Sequence, residues 1–369
     1  MSTSDYVEIG STGLAYVEWP DDMDETSPDK ALIAAVARHV VTVFPDLFTF
    51  NGVLQRIRQK STGVSVKTLD LDDERALIKD AVCFHKGPSE NYAAMPYFRA
   101  WFRDAVIHDV KLLVPSCTGV VTHPIITSSG RVVAKRGYET ETGLFIDISP
   151  EMEELYLWEI LDQERIDFAR EVLGDNYEHK TFYSPADKSR YIAVLLTAVM
   201  TSCYDVSPPV YANNASADSI EARTLFYELN KILHGRATSP DYLHLKAYVV
   251  QRKNISCMRK GKNLPIFLAH SDKNQTPNWP CYVGSNVAIQ VLFDDSRDDV
   301  TKEIAKEFES FRVGVFESLV TLIQAWYQAG KPAPTTPSAF DPAFDEWYYH
   351  VAGVLEHAGY TSISEDLTV

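Results

Sequence analysis

Nowhere in the 369 residues do about eighteen apolar side chains follow one another, so no segment reads as a membrane-spanning helix. The first residues, MSTSDYVEIGSTG, lack the basic start and apolar stretch of a secretory signal. Cysteine is sparse. Cys83, Cys117, Cys203, Cys257 and Cys281 are odd in number and widely scattered, which argues for reduced thiols in a cytoplasmic protein and against a disulfide framework. No CxxC or HExxH occurs, and Cys83 with His85 supplies only two of the four ligands a structural zinc needs. There is no GxSxG elbow, and the ten histidines are too scattered to select a triad. Nothing singles out two of the 51 acidic residues as a catalytic pair. The residues alone therefore assign no catalytic, metal-binding or cofactor-binding role.

Basic residues are also in deficit, 35 against 51 acidic, for a formal net charge of −16. A chain so acidic does not coat a polyanion along its whole surface. The stretch EWPDDMDETSPD holds no basic residue and suits a solvated, partly disordered acidic leader over residues 1–27, or else a partner-binding tail or nucleic-acid mimic. One region reverses the balance. Residues 242–271 contain no carboxylate but hold Lys246, Arg252, Lys253, Arg259, Lys260 and Lys262, with Tyr242, Tyr248 and Phe267 among them. Read as strands, they put Arg252-Lys253 and Arg259-Lys260-Lys262 on hairpin turns free to reach phosphates. The competing reading is a solvated face or a partner for the acidic leader.

What is present is a mixed α/β pattern. SPDKALIAAVARHVVTVF predicts a helix with Ser27 as cap and Pro28 in its first turn. DLFTFNGVLQRIR predicts a hairpin turning at Asn51-Gly52. Helices are expected over DDERALIKDAVCFH and PYFRAWFRDAVI, the second opened by Pro96, with Tyr97, Trp101 and Ala105 forming an apolar stripe that suits core packing better than base stacking. The same applies to Trp326 and Trp347. Residues 119–148 alternate apolar runs with turns at Ser128-Ser129-Gly130 and Glu139–Gly143 and predict a three-stranded β-meander, with Pro124 at an edge or a strand start. Beyond Pro150 the expectation is helical through EMEELYLWEILDQERIDFAREVL and SPADKSRYIAVLLTAVMTSCY, the latter capped by Ser184 with Asp187 at its third position. PPVYANN is a short strand, a long helix runs from about Asp299 to Ala329, GKPAPTTPSAFDP is a Pro-rich break, and AFDEWYYHVAGVLEHAG is a last helix. The expected organisation is an N-terminal α+β region over 28–150, a middle region over 151–298 and a C-terminal helical region over 299–369.

Several of these segments together resemble the primase-helicase and AAA+ ATPase proteins of phages, plasmids and integrated elements. The similarity is carried by Gly119-Val120-Val121, Pro124, Gly130, Val132, Gly137-Tyr138 and Thr142-Gly143-Leu144, with Glu139 where the family has aspartate. It continues through DKSRYIAVLLTAVM, LVTLIQAWYQAGKPAP and FDEWYYHVAGVLEHAG, and is weakest between Ala222 and Asp299. None of these motifs is catalytic. The resemblance implies a P-loop NTPase-like core over 151–298, in which the strand PPVYANN would run into a phosphate-binding loop. The glycines of such a loop let backbone N–H groups close on phosphate oxygens, its lysine neutralises them, and its hydroxyl holds magnesium.

The matching segment here is NASADSIEAR, with no glycine anywhere between Gly174 and Gly235, no lysine, and Asp218 and Glu221 where phosphates would sit. Gly261-Lys262 and Gly330-Lys331 lack the earlier glycine and the following Ser/Thr, and Asp272 is a weak candidate for the acidic strand end. The same segment also reads simply as the start of a helix capped by Asn214 or Ser216.

The expectation is a degenerate core that binds no cofactor. Superfamily 3 helicases grip single-stranded DNA with a basic hairpin, which by resemblance points the basic stretch at single-stranded or forked DNA. Three functions are compatible: a non-catalytic DNA-associated or replisome-interacting accessory factor of a phage or mobile element; an NTPase or helicase with an atypical loop; and a decoy module that binds an intact helicase.

Overall fold

A computed structural model of the protein describes residues 8–9, 15–18, 29–50, 52–60, 63–85, 99–175, 180–182, 184–205, 208–213, 229, 231–233, 235, 268–270, 286–289, 291–293 and 308–365. These fall into two compact units, the first ending at Gly119 and the second beginning at Val120. Helices mix with small sheets throughout, an α/β architecture in the general sense. Among the described residues no helix is long and apolar enough to cross a membrane.

The first unit contains strands β1 (Glu8–Ile9) and β2 (Ala15–Glu18), helix α1 (Lys30–Val43), strands β3 (Leu47–Phe50), β4 (Val53–Lys60) and β5 (Gly63–Thr68), helix α2 (Leu71–Ala81), strand β6 (Val82–His85) and helix α3 (Ala100–Leu113). Asp29, not Ser27, caps α1, its carboxylate accepting the Leu32 N–H at 3.0 Å. The hairpin at Asn51-Gly52 forms as the sequence predicts. Gly52 takes φ +74°, which only glycine adopts without strain, and β3, β4 and β5 make one antiparallel sheet.

Asp70 and Asp73 close a capping box at the start of α2. The sequence reading extends this helix through His85, but its last four residues form β6, which pairs in parallel with β2 and buries Val82 and Phe84. The expected stripe on α3 is also displaced. Phe102, Val106, Ile107 and Val110 are buried, whereas Trp101 and Ala105 lie half-buried at its margin and Tyr97 lies outside the described residues. The helix starts at Ala100, so its face is set by the larger run beginning at Phe102. These side chains meet Leu32, Val36 and Val40 of α1, Leu77 and Ile78 of α2, and Leu47 and Leu54 of the sheet in one core.

The second unit opens with β7 (Gly119–Val121), β8 (Ile125–Ile126), β9 (Val132–Val133), β10 (Gly137–Glu139) and β11 (Leu144–Ile146). The three-stranded meander of the sequence reading is replaced by two hairpins, β8-β9 and β10-β11, with β7 beside β11. Both expected turns are kept, at Gly130 (φ +86°) and Gly143 (φ +69°), and Pro124 stands immediately before β8, at the strand start the sequence predicts.

Then follow α4 (Pro150–Glu153), an irregular stretch, α5 (Gln163–Asp175), β12 (Lys180–Phe182), α6 (Pro185–Val199), β13 (Val210–Asn213), β14 (Leu268–His270), β15 (Asn286–Ile289), β16 (Val291–Phe293), α7 (Phe308–Gln328), a 3₁₀ turn at Pro342–Phe344 and α8 (Asp345–His357). The continuous helix expected after Pro150 is thus broken between Glu154 and Asp162. From Tyr191 to Leu196 α6 is apolar and buried on every side, and these residues are fully inaccessible. Ser184 caps it as predicted, accepting the Asp187 N–H at 3.2 Å. Phe316, Val320 and Trp326 of α7 and Trp347, Val351 and Val354 of α8 complete this core, as the sequence predicts for both tryptophans.

The Pro-rich break ties the two last helices together. The Trp326 indole donates to the Pro332 carbonyl at 2.9 Å, and the Tyr348 hydroxyl to the Thr336 carbonyl at 2.9 Å. Burial works to raise the Glu356 carboxyl, but hydrogen bonds from Thr335 and Thr336 outweigh it and hold the group below its ordinary range.

Candidate functional site

The strand read as PPVYANN is β13, the central strand of a three-stranded sheet in the order β14-β13-β15, parallel to both neighbours. Tyr211 pairs with Leu268 and Val287, Ala212 with Ala269 and Ala288, and Asn213 with His270 and Ile289. The two strands that follow β13 in this sheet lie one on each side of it. In open α/β sheets, ligands sit beyond the carboxyl end of such a strand. Asn213 and His270 occupy neighbouring register positions at that end. The segment that follows it in the chain, NASADSIEAR, lies outside the described residues.

Ile232 and Leu233, further along the chain from β13, are held by a residue the sequence reading passed over. Arg312 of α7 is 2 % exposed, and its guanidinium donates to the carbonyls of Thr122, Ile232 and Leu233. Thr122 donates its hydroxyl to the Leu233 carbonyl at 3.1 Å. Gly235 follows at φ +64°, where a Cβ would come within 3.0 Å of the Arg312 guanidinium. A lone arginine within the apolar run FRVGVF is the signal that marks it. Beside it His123 stacks on Phe316 with ring centroids 5.8 Å apart, its Nδ1 lying 3.0 Å from the Pro124 carbonyl oxygen. Burial lowers its pKa to about 4, helped by Arg312 and opposed by the Pro124 hydrogen bond, so the ring is neutral at pH 7.

A second polar feature occupies the first unit. A cavity of about 360 Å³ is lined by Arg56, Arg58 and Lys67 of the antiparallel sheet and by Asp73, Leu77 and Asp80 of α2. Arg56 and Lys67 stand directly opposite each other on β4 and β5. Like charges in that position repel, and aspartates relieve the repulsion. Asp46 takes Arg56 and Arg58 at 2.9 Å each, and Asp73 takes Lys67. The hydrogen bond from Lys67 holds the Asp73 carboxyl below its ordinary value. Each cation already has a carboxylate partner, so the cavity offers an incoming anion little uncompensated charge.

The six basic residues expected to contact nucleic acid, Lys246, Arg252, Lys253, Arg259, Lys260 and Lys262, lie outside the described residues, as do Asp218, Glu221, Gly261 and Asp272. Gly330-Lys331 is described, and it is a helix stop. Gly330 (φ +80°) and Lys331 (φ +58°) return their N–H groups to the carbonyls of Tyr327 and Trp326 at the end of α7.

Cys83 and His85 sit two apart on β6, not on a helix, and no group of three potential metal ligands occurs among the described residues. Cys203 is buried beside the Tyr327 hydroxyl, and burial pushes its thiol up to about 11, which leaves it a poor nucleophile. The described geometry thus holds no assembled set of reacting side chains. Its most site-like feature is the carboxyl end of β13. No protein-family model matches the chain, and no curated protein matches it.

Proposed function

We propose that the chain is a non-catalytic accessory protein of phage or mobile-element replication, descended from a primase-helicase whose phosphate-binding loop has lost its chemistry. The observation that supports this reading is the position of β13. A short strand lies at the centre of a parallel sheet, beyond whose carboxyl end ligands of α/β proteins bind, yet the segment that follows it has no glycine and no lysine and includes Asp218 and Glu221. A transition state stabilised almost wholly by positioned positive charge gains nothing from two carboxylates. On this reading the basic stretch 246–262 contacts single-stranded or forked DNA, while the acidic remainder faces replication proteins.

Anisotropy titration of a labelled forked oligonucleotide against the full chain tests the DNA contact. The expected result is binding that weakens steeply with salt, with the double variant Arg259→Ala, Lys260→Ala lowering the log–log salt slope by about 1.4. Titrations that stay flat at low salt would sink the DNA-associated form and favour a module that engages a helicase alone. The rival reading, an NTPase with an atypical loop, draws on the same strand position and predicts DNA-stimulated ATP turnover.

A further inference from the structure

Between α4 and α5 the chain pushes large apolar side chains outward. Leu155 and Leu161 pack against the core, and between them Tyr156 is 58 % exposed, Leu157 42 % and Ile160 74 %. Phe168, on α5, is 50 % exposed, although Ile166 and Ala169 beside it are buried. Ring contacts join part of this stretch to α5. The Tyr156 and Trp158 rings meet edge to face at 4.6 Å, and the Arg165 guanidinium lies 3.8 Å over the Trp158 ring. Phe168, three residues after Arg165 on the same helix, shares its face. The segment is pinned at both ends: the Tyr156 N–H donates to Glu317 of α7 at 2.7 Å, and Asp162 accepts the Arg165 N–H at 3.0 Å at the start of α5. An exposed Tyr beside a half-buried Trp and Arg, held in fixed positions, has the composition of binding hot spots, and a pinned surface loses little entropy on binding.

Charge identifies the class of partner. Residues 151–171 carry eight carboxylates against two arginines. Both arginines are engaged, Arg165 on Trp158 and Arg170 with Asp167 at 3.4 Å. Such a rim repels nucleic acid and anionic lipid surfaces alike. We propose that Tyr156, Trp158, Ile160 and Phe168 form a docking surface for a cationic amphipathic segment of a partner protein, its apolar side on the aromatic rings and its lysines or arginines on the surrounding carboxylates. This proposal does not depend on the DNA reading.

The test titrates the full chain with a labelled synthetic helix of roughly eighteen residues, leucine on one face and lysine on the other, beside a scrambled peptide of the same composition. Saturable 1:1 binding is expected, weaker for the scrambled peptide and weakened about tenfold or more by Ile160→Ala or Phe168→Ala, neither of which alters charge. Both side chains are exposed, so melting temperatures should stay unchanged and loss of binding cannot be mistaken for unfolding. Equal binding of both peptides, or indifference to both substitutions, would overturn the proposal by reducing the effect to bulk charge. Concentration-dependent dimerisation in sedimentation velocity, abolished by Ile160→Asp, would overturn it by making a second copy of the chain the occupant.

Discussion

Arg58 of the first unit and Arg312 of the second both have partners, but of different kinds. Arg58 lies largely exposed and shares Asp46 with Arg56, in reach of water and salt. Arg312 is buried and donates to three main-chain carbonyls from two separate stretches of chain. Arg190 belongs with Arg312: it pairs with Asp187 at 3.0 Å inside the second unit and donates to the carbonyls of Ile363 and Glu365. Exposed pairs contribute little because solvent competes for both partners. A buried guanidinium is costly to place, and removing it leaves carbonyls with no replacement donor. Arg56 and Arg58 thus decorate a sheet, whereas Arg312 and Arg190 fasten separate main-chain stretches together inside the second unit.

That contrast can be broken from its strongest side. Arg312→Ala leaves the Thr122, Ile232 and Leu233 carbonyls short of a donor and opens a void beside Phe316. Chemical denaturation should show a loss of about 3–5 kcal/mol. A loss under about 1 kcal/mol would mean that the carbonyls find other partners. Arg190→Ala should cost about 3 kcal/mol by removing the cation paired with the buried Asp187 carboxylate, and should expose the stretch around Ile363 to proteases under native conditions.

The same unit should be sensitive to acid through His123. Its folded-state pKa of about 4 lies below the ordinary 6.5, so the unfolded chain takes up a proton first. Stability is complete above pH 6.5, declines as pH falls through that window, and levels off below about 4, with a total near 3 kcal/mol. His123→Gln should flatten the pH dependence of the melting temperature over that range. At the weak end, Arg58→Ala should shift stability by less than about 0.5 kcal/mol. A larger effect would blur the distinction between the two units.

Local signals were legible wherever the sequence carries its own instructions. Asn51-Gly52 specifies a hairpin because a turn there needs positive φ, and Ser184-Pro185 with Asp187 specifies a helix start. β13 was legible from a short apolar run between Pro209 and Asn213. Long-range pairing was not. Val82–His85 continues a helical pattern, and only its pairing with Ala15–Glu18, far away in the chain, makes it a strand. The break at 154–162 also has no local cue, since Tyr156 and Ile160 suit a helix until Leu155 and Leu161 are both drawn into the core. Of the candidate site, the central strand was foreseen, whereas Arg312 was missed because one arginine in an apolar run reads as surface until its carbonyl partners are known.

On the proposed function, the segment after β13, without glycine or lysine, does not hold a triphosphate. Equilibrium titration of the purified chain with ATP and magnesium measures this directly. The account predicts no saturable binding up to millimolar nucleotide and no turnover with or without DNA. Stoichiometric, magnesium-dependent binding at micromolar ATP would contradict it.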